Sequence, residues 1–147
     1  MKKIAYVITA AAATFAAPSY AATEGYVEGR VGYAWAAGDS ETIGAAIGYE
    51  FDVGDDVFLG AEAVATTEAS FSSPIIGANT RIGLRATETD KVFATIGYAY
   101  DTYSEMDDSL IGGGYEHKFG KAAVSIQYQR SLSWDINHVF VGLGFKF

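Results

Sequence analysis

The chain has two histidines, His117 and His138, and histidine is the side chain that most often transfers protons in enzymes. A hydrolase-type site needs a histidine within reach of a serine nucleophile, together with a carboxylate that orients the ring. On a β-strand, residues i and i+2 share a face, and the positions two after the histidines hold Phe119 and Phe140. A serine on a neighbouring strand, such as Ser125, is the alternative partner for a histidine. We nevertheless predict that both histidines are structural or interfacial and that the chain is not an enzyme.

Acidic residues cluster between Asp101 and Asp108, without the ligand spacing or the glycine of an EF-hand calcium loop. The chain has no cysteine, no glycine-rich phosphate loop and no dinucleotide fingerprint. We therefore predict no metal site and no cofactor, and interpret these acids as solvated. A weaker hypothesis is that these acids, with others along the chain, help to hold divalent cations beside an anionic surface. Those acids are Asp39, Glu41, Glu68, Asp101, Glu105, Asp107, Asp108 and Asp135.

The N-terminus predicts a cleaved secretory signal. Lys2 and Lys3 precede an uncharged, mostly apolar run, residues 4–17, which is too short to span a bilayer as a helix. Small residues at Ser19 and Ala21 have the spacing of a signal-peptidase site, so we place the signal at residues 1–21 and the mature domain at residues 22–147. Cleavage after Ala17 is the weaker choice, and a core helix or a membrane anchor is the alternative interpretation of this segment.

Removal of residues 1–21 changes the formal net charge from −8 to −10, because the segment holds two lysines and no acid. A chain this acidic is not expected to bind nucleic acid. Its length fits one domain, and the lack of cysteine excludes disulfides. After the signal, no apolar run reaches the roughly 18 residues that a transmembrane helix needs, so only a closed barrel could hold the chain in a membrane.

Hydrophobicity alternates with a period of two in eight segments, which is typical of strands with one apolar and one polar face. The segments are residues 25–37, 41–52, 57–67, 77–87, 92–101, 110–119, 122–132 and 138–147. Because turn-rich connections separate them, the pattern predicts an all-β fold, an eight-stranded antiparallel up-and-down transmembrane β-barrel. Both termini would lie on the periplasmic side. The outer loops would be Gly38 to Ser40, Glu68 to Ile76, Thr102 to Ser109 and Ser133 to Asn137.

Aromatic side chains on the apolar face fall at the two ends of the strands, with smaller aliphatic residues between them. This distribution favours lipid outside the barrel, since aromatic residues suit the two membrane interfaces. A soluble, lipocalin-like barrel with its apolar face turned inward is the structural alternative, and the general strand propensity of aromatics is another explanation. The predicted outer girdle is Tyr33, Trp35, Tyr98, Tyr100 and Tyr128. The predicted inner girdle is Tyr49, Phe51, Phe119 and Phe145, with Tyr115 and Phe147.

The opposite face carries charges of both signs, which is hard to reconcile with a cavity for an apolar ligand. An eight-stranded barrel is narrow enough for side chains to fill its interior, so we predict a plug of ion pairs and hydrogen bonds. In this plug the three arginines would pair with the glutamates. The predicted network is Glu28, Arg30, Glu62, Arg81, Arg85 and Glu116.

In these features the mature chain resembles small outer-membrane β-barrel proteins of the OmpX, OmpA transmembrane-domain and opacity-protein (porin-like) type. The resemblance is carried by the eight amphipathic strands, the strand opening Ile111-Gly112-Gly113-Gly114-Tyr115-Glu116, and a terminal alternating run that ends on phenylalanine. The outer loops are shorter than those of the adhesive and opacity members. The resemblance implies that the terminal run is the signal recognised by the barrel-assembly machinery. Its residues are Val139, Val141, Leu143, Phe145 and Phe147.

From the resemblance and the lack of a catalytic pattern, we expect a monomeric structural and surface barrel in the bacterial outer membrane, in contact with lipid and lipopolysaccharide. A narrow diffusion pore is the first alternative, but it needs a continuous water path that mixed charges and long side chains oppose. A lipid-modifying outer-membrane enzyme is the second, and it needs the missing histidine and serine pair.

Overall fold

The computed structural model describes residues 23–36, 38–69 and 74–147, so the predicted signal at residues 1–21 lies outside the described residues. Eight strands account for most of these ranges. They are β1 Thr23–Trp35, β2 Ser40–Asp52, β3 Val57–Glu68, β4 Ile75–Arg85, β5 Asp90–Asp101, β6 Asp107–Phe119, β7 Ala122–Ser131 and β8 Asn137–Lys146. Within the three ranges, no helix is long and apolar enough to span a membrane.

The strands form one closed antiparallel barrel in which each strand pairs with its neighbours in the chain. The last strand, β8, returns to pair with β1, with Tyr26 opposite Lys146 and Trp35 opposite Asn137. Closure of this seam leaves none of the eight described strands with an unpaired edge. The predicted all-β, eight-stranded, up-and-down barrel is therefore confirmed.

The turns at the two ends of the barrel agree with the pattern of short connections in the sequence. Segments 53–56, 86–89 and 120–121 join strands at the end that holds the termini. The adjoining ends of β1 and β2, β3 and β4, β5 and β6, and β7 and β8 lie at the other end. The connection between β6 and β7 is the tightest, and Gly120 has a φ of 63° there, in the left-handed region that favours glycine. We call the opposite end, away from the termini, the loop end.

Several strands extend beyond the alternating segments of the sequence. We predict the sixth strand from residue 110, but β6 begins at Asp107, which pairs with Tyr100. The backbone N–H of Asp101 donates to the carbonyl of Met106 over 2.8 Å and closes this hairpin. Backbone pairing continues as far as the hairpin turn permits, whereas the apolar alternation ends where the barrel surface becomes polar.

The faces of the strands alternate as the sequence predicts, with the apolar face outward. Strand β7 is the clearest case, since every second residue from Ala123 to Ser131 is buried in the lumen. On the exterior, Ile96 and Leu143 are 65% and 67% exposed, whereas Glu50 in the lumen is 0% exposed. The alternative arrangement, with the apolar face turned inward, is therefore wrong.

The packing of the lumen predicts that two glycines differ sharply in their tolerance of a methyl group. A Cβ on Gly48 would lie 2.6 Å from the carbonyl oxygen of Ala61 and 2.6 Å from the ring of Tyr26, whereas a Cβ on Gly29 meets nothing within 4 Å. We expect Gly48→Ala to lower the free energy of unfolding by roughly 1–3 kcal/mol. Gly29→Ala should stay within about 0.5 kcal/mol of the wild type. Urea titrations of both refolded variants check this, and equal stabilities would contradict the described packing.

Candidate functional site

The lumen of the barrel holds a continuous set of charged and polar side chains, and this set is the candidate site. It has two parts. The mid-lumen cluster is Glu28, Arg30, Glu62, Asn79 and Ser125, and the inner cluster, nearer the termini, is Glu24, Glu50, Arg81, Lys91, Glu116, Lys118 and Lys146. Strand alternation turns these residues inward, because each shares the lumen-facing parity of its strand.

The mid-lumen cluster is centred on Arg30. Its Nη2 lies 2.9 Å from Oε2 of Glu62 and 3.0 Å from Oε1 of Glu28, so one guanidinium joins two carboxylates. Asn79 Nδ2 donates to the other oxygen of Glu62 over 2.9 Å, and Ser125 Oγ donates to Glu28 over 2.7 Å. Each buried carboxylate therefore has a cationic and a neutral hydrogen-bonding neighbour, as a buried charge requires.

The inner cluster is centred on two carboxylates, Glu50 and Glu116. Arg81 lies between them, with N–O distances of 3.2 Å to Glu50 and 3.8 Å to Glu116. Lys91 Nζ lies 2.5 Å from Glu50, and Lys146 Nζ lies 2.7 Å from Glu116. The guanidinium of Arg81 also lies 3.8 Å from the ring centre of Phe93, a cation–π contact in a desolvated setting.

Tyr26 joins the two clusters. Its hydroxyl donates to Glu62 over 2.8 Å and accepts from Arg81 Nη1 over 2.8 Å. The ring is 1% exposed and lies beneath the ammonium of Lys146, 4.7 Å from it. A hydroxyl that gives one hydrogen bond and receives one makes a continuous chain from Arg30 through Glu62 to Arg81.

Charges within the two clusters balance. The carboxylates are Glu24, Glu28, Glu50, Glu62 and Glu116, and the cations are Arg30, Arg81, Lys91, Lys118 and Lys146. The formal net charge of −8 therefore comes from residues outside these clusters. Eight of these ten groups are buried, and Glu24 and Lys118 are partly exposed. A neutral, mutually paired interior limits the desolvation cost of burying ionised groups, which would be prohibitive for unpaired charges.

Contacts in the inner cluster cross the whole lumen. Lys91 on β5 lies 2.9 Å from Glu24 on β1, although these strands stand on opposite sides of an eight-strand ring. Phe58 on β3 is 0% exposed and lies 5.3 Å from the ammonium of Lys91. Side chains therefore occupy the cross-section of the barrel at this level, and the arrangement can resist passage of solutes.

Five of the six residues of the predicted network meet in the lumen, and one does not. Arg85 bonds to Asp52, with Nη2 2.5 Å from the carboxylate, and both are partly exposed at the end of the barrel that holds the termini. The expectation that Arg85 pairs with Glu28, Glu62 or Glu116 is wrong. Arg85 has the correct parity, but it is the last residue of β4 and lies nearer the mouth than those glutamates.

Several residues of the lumenal clusters are absent from the predicted network. Lys91 is one, because the predicted fifth strand starts at Val92, although Lys91 has the parity of the lumenal residues Phe93 and Thr95. Tyr26 is another. It lies on the polar face two residues before Glu28, but its aromatic ring does not mark it as a member of an ion network. Extending the alternation by one residue at the start of the fifth segment would have found Lys91, whereas Tyr26 already lies within the first segment and its parity alone indicates the lumen. The other omitted members are Glu24, Glu50, Asn79, Lys118, Ser125 and Lys146.

The structure places ten of the eleven aromatic residues of the two predicted girdles on the outer face with partial or full exposure. Trp35 and Tyr128 meet at the loop end with ring centres 6.3 Å apart, and Tyr49 meets Phe147 at the other end, also at 6.3 Å. The prediction that Tyr100 is exposed in the outer girdle is wrong. Tyr100 has the outward parity, but it is only 8% exposed between its register partners Ile76 and Asp107. The ten are Tyr33, Trp35, Tyr49, Phe51, Tyr98, Tyr115, Phe119, Tyr128, Phe145 and Phe147.

The two histidines lie in different environments. On the exterior, His117 Nδ1 is 2.6 Å from Asp90, and its ring packs edge-on against Phe119. In the lumen, the His138 ring stacks on Phe140 with centres 5.7 Å apart. Among the described residues, no group of three or more histidines, cysteines or acids is arranged to hold a metal ion.

The predicted assembly signal occupies the last strand. Val139, Val141, Leu143 and Phe145 share the outward parity of β8, and Phe147 follows the strand and exchanges backbone hydrogen bonds with Gly25. Recognition of this strand by the assembly machinery stays a prediction.

The lumenal network predicts a large effect for the loss of one buried charge. Glu50→Gln keeps the size of the side chain but leaves the neighbouring cations Arg81 and Lys91 short of one partner. We expect the free energy of unfolding to fall by about 3–5 kcal/mol. The control is Glu88→Gln on an exposed turn, which should change it by less than about 0.5 kcal/mol. Urea titration in the same detergent measures both, and a neutral Glu50→Gln would show that the network does not stabilise the barrel.

No protein-family model and no curated protein sequence matches this chain. Solved structures do. A de novo designed transmembrane β-barrel has a TM-score of 0.65 and 17% identity, covering 84% of this chain and 95% of that one.

Two natural proteins have the same architecture. Neisserial surface protein A has a TM-score of 0.61 and 9% identity, over 86% of this chain and 97% of that one. The outer-membrane protein Ail of Yersinia pestis has a TM-score of 0.58 and 12% identity, over 86% of this chain and 100% of that one. At these identities the likeness concerns the backbone. The chain has the fold of the small eight-stranded outer-membrane β-barrels, as its sequence resemblance predicts.

Proposed function

We propose that this chain is an integral outer-membrane protein with a closed lumen, which contributes structure and surface to the bacterial envelope without catalysis. The observation that carries the proposal is the combination of an apolar exterior and a lumen filled by paired charges. Leu143 is 67% exposed while Arg81, on an inward face, is 2% exposed. This inversion of the usual soluble pattern is stable only where the exterior meets lipid.

The height of the apolar surface supports a membrane location. On the outer face, Tyr98 bonds to Asp107 at the loop end, and Tyr115 bonds to Asp90 at the other end. Asp107 and Tyr115 are both on β6. On a strand tilted by about 40° from the barrel axis, their separation corresponds to a height of about 20 Å along that axis. An outward apolar band of about 25 Å is usual for outer-membrane barrels.

The filled cross-section favours a closed barrel over the diffusion pore. An open pore would need the contacts of Arg81 and Lys91 with Glu50 to separate, and each separation would leave a buried charge without its partner. The enzyme alternative has less support, since the imidazole of His117 faces the exterior and that of His138 the lumen. The protein would act as a monomer in contact with lipid and lipopolysaccharide.

A single substitution on the exterior tests the membrane location. Ile96 lies at the middle of β5 and is 65% exposed. Ile96→Arg should lower the free energy of unfolding in phospholipid vesicles by about 2–4 kcal/mol, because the charge would lie in hydrocarbon. The matched control, Tyr103→Arg, is 81% exposed at the loop end and should change it by less than about 0.5 kcal/mol. Equal values for the two variants would place the exterior of the barrel in water.

Conductance tests the closed lumen. The refolded mature chain in a planar bilayer should give no discrete channel steps, because paired side chains fill the barrel. Its electrophoretic mobility in mild detergent should shift on heating, which shows that the silent protein is folded. Regular current steps from the folded protein would replace the closed-barrel proposal by the diffusion pore. A general porin in the same bilayer serves as the positive control.

A further inference from the structure

At the loop end, the lumen opens into a cavity of about 400 Å³, which we call the outer cavity. It lies above the mid-lumen cluster and belongs to neither part of the ion network. Strand ends and segment 132–136 form its wall. The lining residues on which its chemistry depends are Thr42, Glu68, Asp101, Met106, Trp134 and His138. A volume of this size lies in the range of small-molecule sites.

The outer cavity is acidic on one part of its wall and apolar on another. Glu68 and Asp101 line it, and no lysine or arginine does among the described residues. Asp101 is fixed in place, since its Oδ1 accepts backbone N–H bonds from Tyr103 over 2.8 Å and from Ser104 over 3.3 Å. Met106 and Trp134 supply apolar surface. Two carboxylates beside an aromatic ring favour a cation with an apolar body.

A buried hydroxyl in the wall gives an independent sign of a polar ligand. Thr42 is 7% exposed, lines the cavity, and its Oγ1 has no hydrogen-bond partner among the described residues. Nδ1 of His138, in the same wall, also lacks one. A buried polar group without a partner is costly, and a bound donor or acceptor removes that cost.

The aromatic wall is held in place before any ligand binds. The carboxylate of Asp108 accepts backbone N–H bonds from Ser133 over 2.9 Å and from Trp134 over 2.9 Å. This ties segment 132–136 to the start of β6. A fixed wall lowers the ordering cost of binding, which is the usual basis of affinity in a small site.

We propose that the outer cavity binds a small amphiphilic cation, with its ammonium group at Glu68 and Asp101 and its apolar body against Trp134 and Met106. This goes beyond a structural role, because it gives the surface of the barrel a ligand of defined charge. It does not depend on whether the lumen conducts.

Trp134 provides the signal for the test. The chain has two tryptophans, so Trp35→Phe leaves Trp134 as the only one. We expect phenethylammonium to change the fluorescence of this refolded variant in a saturable way. The neutral analogue 2-phenylethanol has the same ring and should bind about tenfold more weakly, since a charge-assisted bond is lost. Equal affinity for the two compounds, or no saturable change with either, would overturn the proposal.

Substitutions locate the binding site. In the Trp35→Phe background, Glu68→Gln and Asp101→Asn should each weaken phenethylammonium binding about tenfold. The amide introduced by Asp101→Asn keeps an oxygen for the backbone N–H groups, so the hairpin is preserved. Glu88→Gln, on a turn at the opposite end, removes the same charge and should leave binding unchanged. The heat-dependent mobility shift confirms folding of each variant. Wild-type affinity in both folded cavity variants, or an equal loss in Glu88→Gln, would contradict the assignment.

Discussion

The arrangement of every side chain in the barrel follows from the pairing of β1 with β8. This pairing closes the sheet, so that strand alternation divides the residues into one set that faces the lumen and one that faces outward. In a ring of eight strands the lumen is narrow, and inward side chains must pack against those of strands across the barrel. Charges in this lumen have little water and therefore need one another.

Packing in the lumen rests on a pairing of large and small residues across neighbouring strands. Tyr26 stands opposite Gly48, Phe58 opposite Gly83, and Phe140 opposite Gly32. Phe93 has glycines on both sides, Gly83 and Gly114. These glycines give the rings and the long cationic side chains the space to lie across the lumen. The ion network and the glycine positions are thus two parts of one packing solution.

The sequence predicts the strands and their faces well, because a period of two distinguishes inward from outward residues without reference to the neighbours. Height along the barrel is harder to predict. Arg85 has the inward parity and still bonds to Asp52 at the mouth, whereas Arg81, four residues earlier, lies among Glu50, Glu116 and Tyr26. The outer cavity could not be predicted from the sequence, for a related reason. Thr42, Asp101 and Trp134 come from separate parts of the chain, and only register and loop conformation bring them together.

The apolar exterior should meet lipid while the charged face fills the lumen. Methyl nuclear Overhauser effects in lipid nanodiscs measure both placements without any substitution. Ile82, Ile96 and Ile126 are all at least 50% exposed on the exterior. Their methyl groups should show cross-peaks to lipid acyl chains and none to the side chains of Arg30 or Arg81. Cross-peaks to these arginines, with none to lipid, would show that the isoleucines face the lumen and would contradict this placement of the two faces.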